Sequence, residues 1–430
     1  MEEGLIDSKK LTSVGPGNAT GLDAAFEPGN MDLAMKLHYL RGIYYFGSEA
    51  FAGLTNFSVK EPLFNWLNQY PVPCGRFRRS ESGRAYIKCN DCGVRLIQAT
   101  CVKTVDEWME MRNAALENLL CPNHVVGPQL QFSPLVYLQL TEFKCGGMAV
   151  GLSWAHVLGD AFSAAKFMNM LGRVVSGSKP ELPINPAQSQ MKPGTLPEVG
   201  KQSDPISVKR VDPVGDNWVY ESPCKTETFS FYVTPTKLSH LRSKLAKDGG
   251  EFPPFEALTA VIWLSIARVR ADSSSGAEVI NICRKGSGNS SNSDLGNNQI
   301  VSVVRADFAV AEASPGELAV LVQNEVADER RRIEEVMERD GGLSDFIVYG
   351  ANLTFVNLEE AIFYDFECKG QKPVWVSYKV DGVGEKGTVL VLPGRMEGGE
   401  KSRGRLVAVM LPEEEVVGVK SELRREGLMA

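Results

Sequence analysis

Apolar runs of strand length recur along the chain. Residues 85–100, AYIKCNDCGVRLIQAT, alternate like two strands around a turn at 90–93 whose Asn, Asp and Gly content favours a β-hairpin. Residues 133–154 predict two further strands around a Cys-Gly-Gly turn. Near the C-terminus, TVLVLP and RLVAVMLP predict another hairpin, and a closing helix follows from Glu413. Strand pairs are therefore expected in both halves of the chain.

The apolar period changes from that of a strand to that of a helix after Asp160. Asp160 stands where an N-cap belongs, and Ser176 and Gly177 close the helical pattern. His156 therefore lies in a tight turn between a strand and a helix, where a rigid support can position its side chain. One face of the predicted helix collects the apolar residues Ala164, Phe167, Met168, Leu171, Val174 and Val175.

Other helical patterns lie on both sides of this turn. Residues 62–77 predict a helix that ends at Pro71 and is followed by a turn. Residues 253–270 predict an amphipathic helix with proline at its start, and residues 317–340 predict a long charged helix. Between these two, residues 286–298 are expected to form a mobile polar loop.

The length of the chain and the composition of its middle predict two domains. A chain of 430 residues is too long for one ordinary core. Residues 176–223 are rich in Pro and Gly and predict a crossover linker. We therefore expect a flexible N-terminal arm over 1–30, an N-terminal domain over 31–175 and a C-terminal domain over 224–430. Because strands and helices are mixed throughout, the expected fold class is mixed α/β.

Composition narrows the class of protein. Apolar residues make up 43% and charged residues 23% of the chain, as in soluble globular proteins. The formal net charge is −7 and no long Lys/Arg block is present, which argues against nucleic-acid binding. The first residues show no basic and apolar signal pattern, and the apolar runs are shorter than the ~20 residues of a membrane span. We expect neither a secretory signal nor a transmembrane segment.

The nine cysteines predict free thiols rather than disulfides. An odd number scattered through a chain of this length is typical of a reducing compartment. Cys89 and Cys92 form a C-x-x-C pair, but the sequence offers no second pair at zinc-finger spacing. We therefore interpret them as half-buried thiols and expect no bound metal.

His156 and Asp160 form a His-x-x-x-Asp motif. By itself this motif is a weak signal, because the chain contains four histidines and many acidic residues. The alternative interpretation is a buried turn histidine followed by a helix cap. The context of strand, turn with Gly159 and capped helix strengthens the functional interpretation, because an imidazole held there can act as a general base.

The other histidines receive ordinary interpretations. His38 is expected to be a packed or surface helix histidine, and His240 a surface histidine. His124 lies in a loop and is assigned no role. The charged stretch over 329–335 is expected to be a solvated helix face, with docking to another protein as the alternative.

Several long phrases occur in order along the chain: QYPVPCGRF, YIKCNDCG, FSPLVYLQLTEFKCGGMAVGLSWAHVLGDAFSAAKFM, PFEALTAVIW, LGNN and KPVWVSY. Together they resemble the plant BAHD acyltransferases, from about residue 30 to the C-terminus. Within that family, MDLAMKLHYLRGIYYF, LTEFKCGGMAVGLSWAHVLGD, SDFIVYGANLTFVNLEE and GVGEKGTVLVLP resemble the Eceriferum-two and Glossy-two branch, which is implicated in cuticular wax synthesis.

The resemblance implies a fold and a reaction. It implies two similar domains of the chloramphenicol acetyltransferase-like type, each a mixed sheet with helices, and a channel between them that acyl-CoA enters. In the implied reaction, His156 takes the proton of an acceptor hydroxyl or amine, which attacks the thioester carbonyl. A positioned base of this kind is worth about 10²–10⁴ in rate. Asp160 would support the turn and pair with an arginine. Acyl-CoA would be a ligand or substrate, with no resident cofactor.

The family's second signature, Asp-Phe-Gly-Trp-Gly before a basic residue and proline, is degenerate in this chain. Alignment on KPVWV places residues 367–371, beginning with Glu367, at that position. Asp365 lies two residues early in Tyr-Asp-Phe, without the Gly-Trp-Gly. We expect Asp365 and Glu367 to lie in a solvated acidic turn, and Arg284 is a candidate partner for an acidic residue here. The degenerate signature weakens the case for CoA-dependent transfer.

Two functions of different classes stay open, so the sequence does not decide whether the chain is an enzyme. In the first, suggested by the wax-protein resemblance, a BAHD-like accessory protein promotes very-long-chain fatty acid elongation. It would work with the condensing enzyme (ketoacyl-CoA synthase) of the elongase at the cytosolic face of the endoplasmic reticulum. In the second, the chain is an acyl-CoA-dependent O- or N-acyltransferase with His156 as base. A third possibility, an unrelated α/β binding protein, leaves the long phrases unexplained.

Overall fold

Two large sheets and their helices make up the protein. The computed structural model describes residues 4–53, 56–111, 113–178, 203–246, 251–271, 278–286, 295–324, 327–395 and 403–429. Most of the predicted crossover linker (179–202) and most of the predicted polar loop (287–294) lie outside the described residues. Within the described ranges, no helix has the length and apolar character needed to span a membrane.

The described residues contain eighteen β-strands. Strands β1 to β9 come from the first half of the chain, and β10 to β18 from the second. In chain order they are β1 (Ile6–Val14), β2 (Ala25–Phe26), β3 (Tyr39–Phe46), β4 (Arg76–Arg79), β5 (Ala85–Lys88), β6 (Val94–Cys101), β7 (Val136–Phe143), β8 (Met148–Ala155), β9 (Lys209–Arg210), β10 (Thr226–Val233), β11 (Val279–Arg284), β12 (Ile300–Arg305), β13 (Ala327–Asp328), β14 (Phe346–Ile347), β15 (Leu353–Asn357), β16 (Trp375–Asp381), β17 (Thr388–Pro393) and β18 (Arg405–Pro412).

The same residues contain eleven α-helices. Several begin with side-chain caps, as at Thr104, Asp160 and Ser314, where a side-chain oxygen accepts a backbone N–H of the first turn. In chain order the helices are α1 (Asn30–Ala34), α2 (Ser48–Phe51), α3 (Asn56–Leu67), α4 (Val105–Glu110), α5 (Glu117–Leu120), α6 (Ala161–Val175), α7 (Pro235–Ala246), α8 (Pro254–Arg270), α9 (Pro315–Gln323), α10 (Arg330–Arg339) and α11 (Glu413–Arg425).

The first sheet has the strand order β1-β6-β7-β8-β3-β16. Its pairs are antiparallel except β6 with β7, so the sheet is mixed. Strand β16 comes from the C-terminal part of the chain and pairs with β3 along its whole length. The C-terminal segment therefore completes the sheet that carries His156 at the end of β8.

The second sheet has the order β10-β18-β17-β15-β11-β12-β13. Strand β15 runs parallel to both β11 and β17, and the remaining neighbours are antiparallel. Its core is built on α8, which packs against α7, α9 and α11. Two sheets, each mixed and each covered by helices, give the mixed α/β class that the sequence predicted.

Many local predictions are confirmed. Strands β7 and β8 pair antiparallel, as do β17 and β18, and α11 begins at Glu413 as expected. Helix α6 is capped by Asp160 and ends before Ser176 and Gly177. These elements are set by local period and by their caps, which is why a sequence pattern suffices to find them.

The predicted hairpin around 90–93 is wrong. Both strands form, but β5 pairs with β4 and β2 in a small three-stranded sheet, whereas β6 pairs with β1 and β7. The turn residues carry the chain between these two sheets: Asp91 has a φ of +57° and Gly93 a φ of +81°. The sequence correctly predicts a turn at 90–93, but the sheet that the following strand joins depends on strands distant in sequence.

Four other predictions need correction. Residues 6–14 of the predicted flexible arm form β1, because they find a partner in β6. The predicted helix over 317–340 is divided into α9, β13 and α10, because β13 joins the edge of the second sheet at β12. Helix α8 is not amphipathic in its burial, since almost every residue from Phe255 to Ala267 is buried. Of the predicted mobile loop, residues 295–297 are buried.

Candidate functional site

The His156 turn lies between β8 and α6. One turn of 3₁₀ helix (His156–Leu158) leads to Gly159, and Asp160 then caps α6 by accepting the Ser163 N–H at 3.0 Å. Gly159 has a φ of +145°, and a Cβ there would lie 2.7 Å from the Ser163 Cβ. Only glycine fits this position, because its backbone conformation and the close contact both exclude a side chain.

Residues 295–298, from the second half of the chain, form hydrogen bonds with the turn. The side-chain amide of Asn297 donates to the His156 carbonyl at 2.8 Å, and the Asn298 N–H donates to Asp160 Oδ2 at 2.9 Å. Asn297 is itself held by Asp32, whose Oδ1 accepts both its backbone and side-chain N–H groups. The turn is therefore fixed by two distant parts of the sequence, residues 295–298 directly and Asp32 through Asn297.

The imidazole of His156 is enclosed. Its exposed fraction is 0%, and its Nε2 lies 3.0 Å from the Tyr349 hydroxyl. Because the one hydroxyl proton goes to another acceptor, the Nε2–H tautomer of His156 donates this hydrogen bond. The same hydroxyl donates to Gln299 Oε1 at 2.9 Å. The ring nitrogen that would face an acceptor is thus bonded to a side chain of the protein, and the two halves of the chain close around it.

A second histidine, His38, belongs to the same cluster. It is fully buried between α1 and β3, so the expectation of a helix histidine was wrong. Its Nε2 accepts the N–H groups of Val348 at 3.0 Å and Tyr349 at 3.4 Å, and its carbonyl accepts the His156 N–H at 3.1 Å. His38 therefore connects the His156 turn to the backbone that carries Tyr349.

Burial controls the protonation of this cluster. Loss of hydration lowers the pKa of His156 to about 4, and the Asn297 side chain only partly opposes this effect. Burial also lowers the pKa of His38 to about 3, with the nearby His156 adding to the effect. Burial raises the pKa of Asp160, against hydrogen bonds from Ser163 and Asn298 that lower it. Both imidazoles are therefore neutral at pH 7.

Asp160 does not pair with an arginine among the described residues. Its two oxygens accept the Ser163 and Asn298 N–H groups instead. Arg284, the candidate partner of an acidic residue, forms a 3.0 Å ion pair with Glu256 and lies over the Phe255 ring. The arginine contact implied by the resemblance is replaced at Asp160 by backbone donors, while its predicted place at the helix cap is confirmed.

The degenerate second signature lies at the other end of α6. Asp365 is more than half exposed and pairs with Lys372 at 3.1 Å, and Glu367 is exposed, as expected for a solvated acidic turn. The backbone here touches the C-terminal part of α6, where the Lys369 N–H donates to Ser176 Oγ at 3.1 Å. At 1.5 Å per helical residue this end is roughly 20 Å from His156. The structure therefore brings together His156 and Asp160 but not Asp365 and Glu367.

Sequence reasoning missed four members of the cluster: His38, Asn297, Gln299 and Tyr349. Asn297 lies in the LGNN phrase and Tyr349 in SDFIVYGANLTFVNLEE, both of which carried the family resemblance. That resemblance was the one signal that marked these segments. Within the described ranges, no group of three His, Cys, Asp or Glu side chains has the arrangement of a metal site.

Comparison with known proteins extends over the whole chain. A family model described as the Transferase family matches residues 10–425. Protein ECERIFERUM 26 of Arabidopsis thaliana is 39% identical over 429 residues, which cover 100% of this chain and 97% of that protein. Protein ECERIFERUM 2 of the same plant is 38% identical over 437 residues, covering 98% of this chain and 99% of that protein.

Solved structures share the fold. Vinorine synthase superposes with a TM-score of 0.74 at 15% identity, covering 99% of this chain and 98% of that one. TRI101 of F. graminearum, complexed with coenzyme A and deoxynivalenol, gives a TM-score of 0.70 at 17% identity over 94% of this chain and 99% of that one. At such identities the likeness concerns the fold alone. It confirms the predicted fold, a mixed α/β structure shared with these proteins.

Proposed function

This chain belongs to the Transferase family, in the wax-related BAHD branch of its ECERIFERUM relatives, and from that premise we propose that it acts as a non-catalytic accessory protein. In this proposal it promotes very-long-chain fatty acid elongation together with a ketoacyl-CoA synthase, the condensing enzyme of the elongase. The shared action would take place at the cytosolic face of the endoplasmic reticulum.

One observation carries the non-catalytic part of the proposal. His156 has no exposed surface, and its Nε2 is bonded to the Tyr349 hydroxyl. A general base must lie within hydrogen-bond reach of the proton that it removes from an acceptor. The imidazole is neutral at pH 7 and so retains the charge state of a base, but an internal hydroxyl holds its reacting nitrogen. The obstacle to transfer is therefore the occupied Nε2 atom rather than the charge of the imidazole.

Acyl-CoA remains the proposed ligand class. The fold is shared with TRI101, which has been crystallised with coenzyme A. A protein that binds a long acyl-CoA near a condensing enzyme, without transferring the acyl group, would bias the enzyme towards longer products. Fold likeness alone does not determine such a role, so the proposal depends on direct measurement.

The alternative function is an acyl-CoA-dependent O- or N-acyltransferase. It is favoured by the complete His156 turn, with Gly159 and the Asp160 cap in place and the imidazole neutral. It requires that Tyr349 leave the imidazole during each catalytic cycle. It predicts release of free CoA from acyl-CoA and an alcohol or amine by the purified chain.

The test uses yeast that expresses plant ketoacyl-CoA synthases, with and without this chain. We expect longer fatty acids only when a synthase and this chain are expressed together, as measured by gas chromatography of total fatty acids. In parallel, the purified chain is incubated with long-chain acyl-CoA and a panel of alcohols and amines, and free thiol is measured. We expect no thiol release above background. His156-dependent thiol release, or lengthening by the chain without any plant synthase, would refute the proposal.

A further inference from the structure

Tyr349 occupies the space directly in front of the His156 imidazole. Its side chain is buried, with ring centroids 5.4 Å from His156 and 4.9 Å from His38. Its hydroxyl donates to Gln299 Oε1 and shares the bond with His156 Nε2. A hydroxyl has one donor and two acceptor positions, so these two partners use most of its capacity. The pocket around the ring is therefore built to hold one hydroxyl group.

Hydrogen bonds also hold the backbone of Tyr349. His38 Nε2 accepts the Tyr349 N–H, and the Tyr349 carbonyl accepts the Gly384 N–H at 2.9 Å. The next residue, Gly350, has a φ of +84°, and a Cβ there would lie 2.5 Å from the Gly384 nitrogen. These contacts hold the main chain on both sides of Tyr349, and the two hydrogen bonds of the hydroxyl hold the phenol against His156.

We propose that Tyr349 is an intramolecular ligand whose phenol fills a hydroxyl-binding subsite formed by His156 and Gln299. In this account an external phenol enters the subsite only when the tyrosine side chain has been removed. The inference deepens the proposed function, because it gives the physical reason why the base cannot act on an acceptor. It concerns binding alone, so it can be tested without any elongase.

The competing interpretation is that Tyr349 is an ordinary core residue. Removing an ordinary core ring leaves an apolar hole, which binds any ring of the right size. A hydroxyl subsite instead distinguishes ligands by their hydroxyl, because a ligand without one leaves buried His156 and Gln299 atoms unpaired. A lost hydrogen bond of this kind lowers affinity by about tenfold.

The experiment measures binding of p-cresol and toluene to the Tyr349→Ala protein by calorimetry and thermal denaturation. p-Cresol corresponds to the whole tyrosine side chain, one methyl group larger than the phenol that the substitution deletes, and toluene differs from p-cresol only in lacking the hydroxyl. We expect p-cresol to raise the melting temperature of Tyr349→Ala and to bind about tenfold more tightly than toluene. The wild type and Tyr349→Phe, which retain the ring, should bind neither compound. Adding Gln299→Leu to Tyr349→Ala should reduce the preference for p-cresol.

Equal binding of p-cresol and toluene, or binding of neither by a folded Tyr349→Ala protein, would overturn the inference. If Tyr349→Ala does not fold, Tyr349→Phe supplies the second test. Its imidazole ¹⁵N spectrum should show a shifted His156 Nε2 resonance with the other histidines unchanged, and an unshifted resonance would contradict the proposed bond. A failure of the yeast assay would leave all these results intact, so the two proposals fail separately.

Discussion

The two ends of α6 have very different surroundings. At its N-terminus, the His156 turn is buried, and the His156 Nε2, the His156 carbonyl and the Asp160 carboxylate are bonded to residues from distant parts of the chain. At its C-terminus, the degenerate signature around Asp365 and Glu367 is a solvated turn with one exposed ion pair. Both regions carry signatures in the related acyltransferases that the sequence resembles. The contrast teaches that the His156 turn is integrated into the fold, whereas the degenerate signature contributes one exposed ion pair.

The largest effect is expected at Asp160. Asp160→Ala removes the cap of α6 and leaves the buried Ser163 N–H and the partly buried Asn298 N–H without their acceptor. The free energy of unfolding should fall by roughly 4 kcal/mol, since a lost cap and an unsatisfied buried donor each cost about 1–2 kcal/mol or more. Urea denaturation at pH 7 measures it. A loss below about 1 kcal/mol would mean that the turn does not depend on this carboxylate.

A second large effect is expected on acidification. Burial lowers the pKa of His156 from the ordinary histidine value of 6.5 to about 4 in the folded protein, so between these pH values the unfolded state binds more protons. The free energy of unfolding should therefore fall as pH drops from about 6.5 to about 4, by about 3 kcal/mol for this residue. Below about pH 4, protonation of His156 should lower the free energy of unfolding no further.

His156→Gln is the matched variant for that measurement. Its amide can bond to the Tyr349 hydroxyl but does not titrate in this range. The free energy of unfolding of the wild type, relative to that of the variant, should thus fall by about 3 kcal/mol as the pH drops over the same interval. His240→Gln, at an exposed position of α7, controls for the loss of a histidine as such. A difference between wild type and His156→Gln that is independent of pH would contradict the buried neutral imidazole.

An intermediate effect is expected where the second region touches α6. A Cβ at Gly172 would lie 2.5 Å from the Glu367 carbonyl oxygen and 2.7 Å from the Phe366 ring. Because one of these contacts is backbone, Gly172→Ala should lower the free energy of unfolding by about 2 kcal/mol despite its gain in helix propensity. Thermal denaturation tests this. An unchanged or higher melting temperature would show that the 363–372 segment is not packed on α6.

The smallest effect is expected at Asp365 itself. Asp365 and Lys372 are each more than half exposed, and exposed ion pairs contribute little. Asp365→Asn should change the free energy of unfolding by less than about 0.5 kcal/mol and leave fatty-acid lengthening in yeast unchanged. A strong loss of lengthening in a stable Asp365→Asn protein would instead make this turn part of the partner surface.

The sequence predicted the parts of the site that are local. Strand β8, the turn at His156 and capped helix α6 follow from period and capping within some 25 residues of sequence. It did not predict the closure of the site, because Tyr349 lies 193 residues from His156 and reaches it only through the pairing of distant strands. The hairpin error at 90–93 has the same origin, since local turn chemistry does not specify which sheet the next strand joins.

The family resemblance predicted the architecture but not the state of the base. The His-x-x-x-Asp residues are intact in sequence, and only the side chains around them distinguish an open base from an enclosed one. Asp160 illustrates the same point, because its implied arginine partner is replaced by the backbone of residues 163 and 298.

The most direct test of a structural rather than catalytic His156 turn is the fatty-acid profile of yeast that expresses a responsive plant ketoacyl-CoA synthase. The cells carry either the wild-type chain or His156→Gln at matched levels of folded protein. We predict the same lengthening with both, because the variant retains the bond to Tyr349 and lacks only the base. Lengthening with the wild type and none with a stable His156→Gln protein would contradict the account and establish His156 as a working residue.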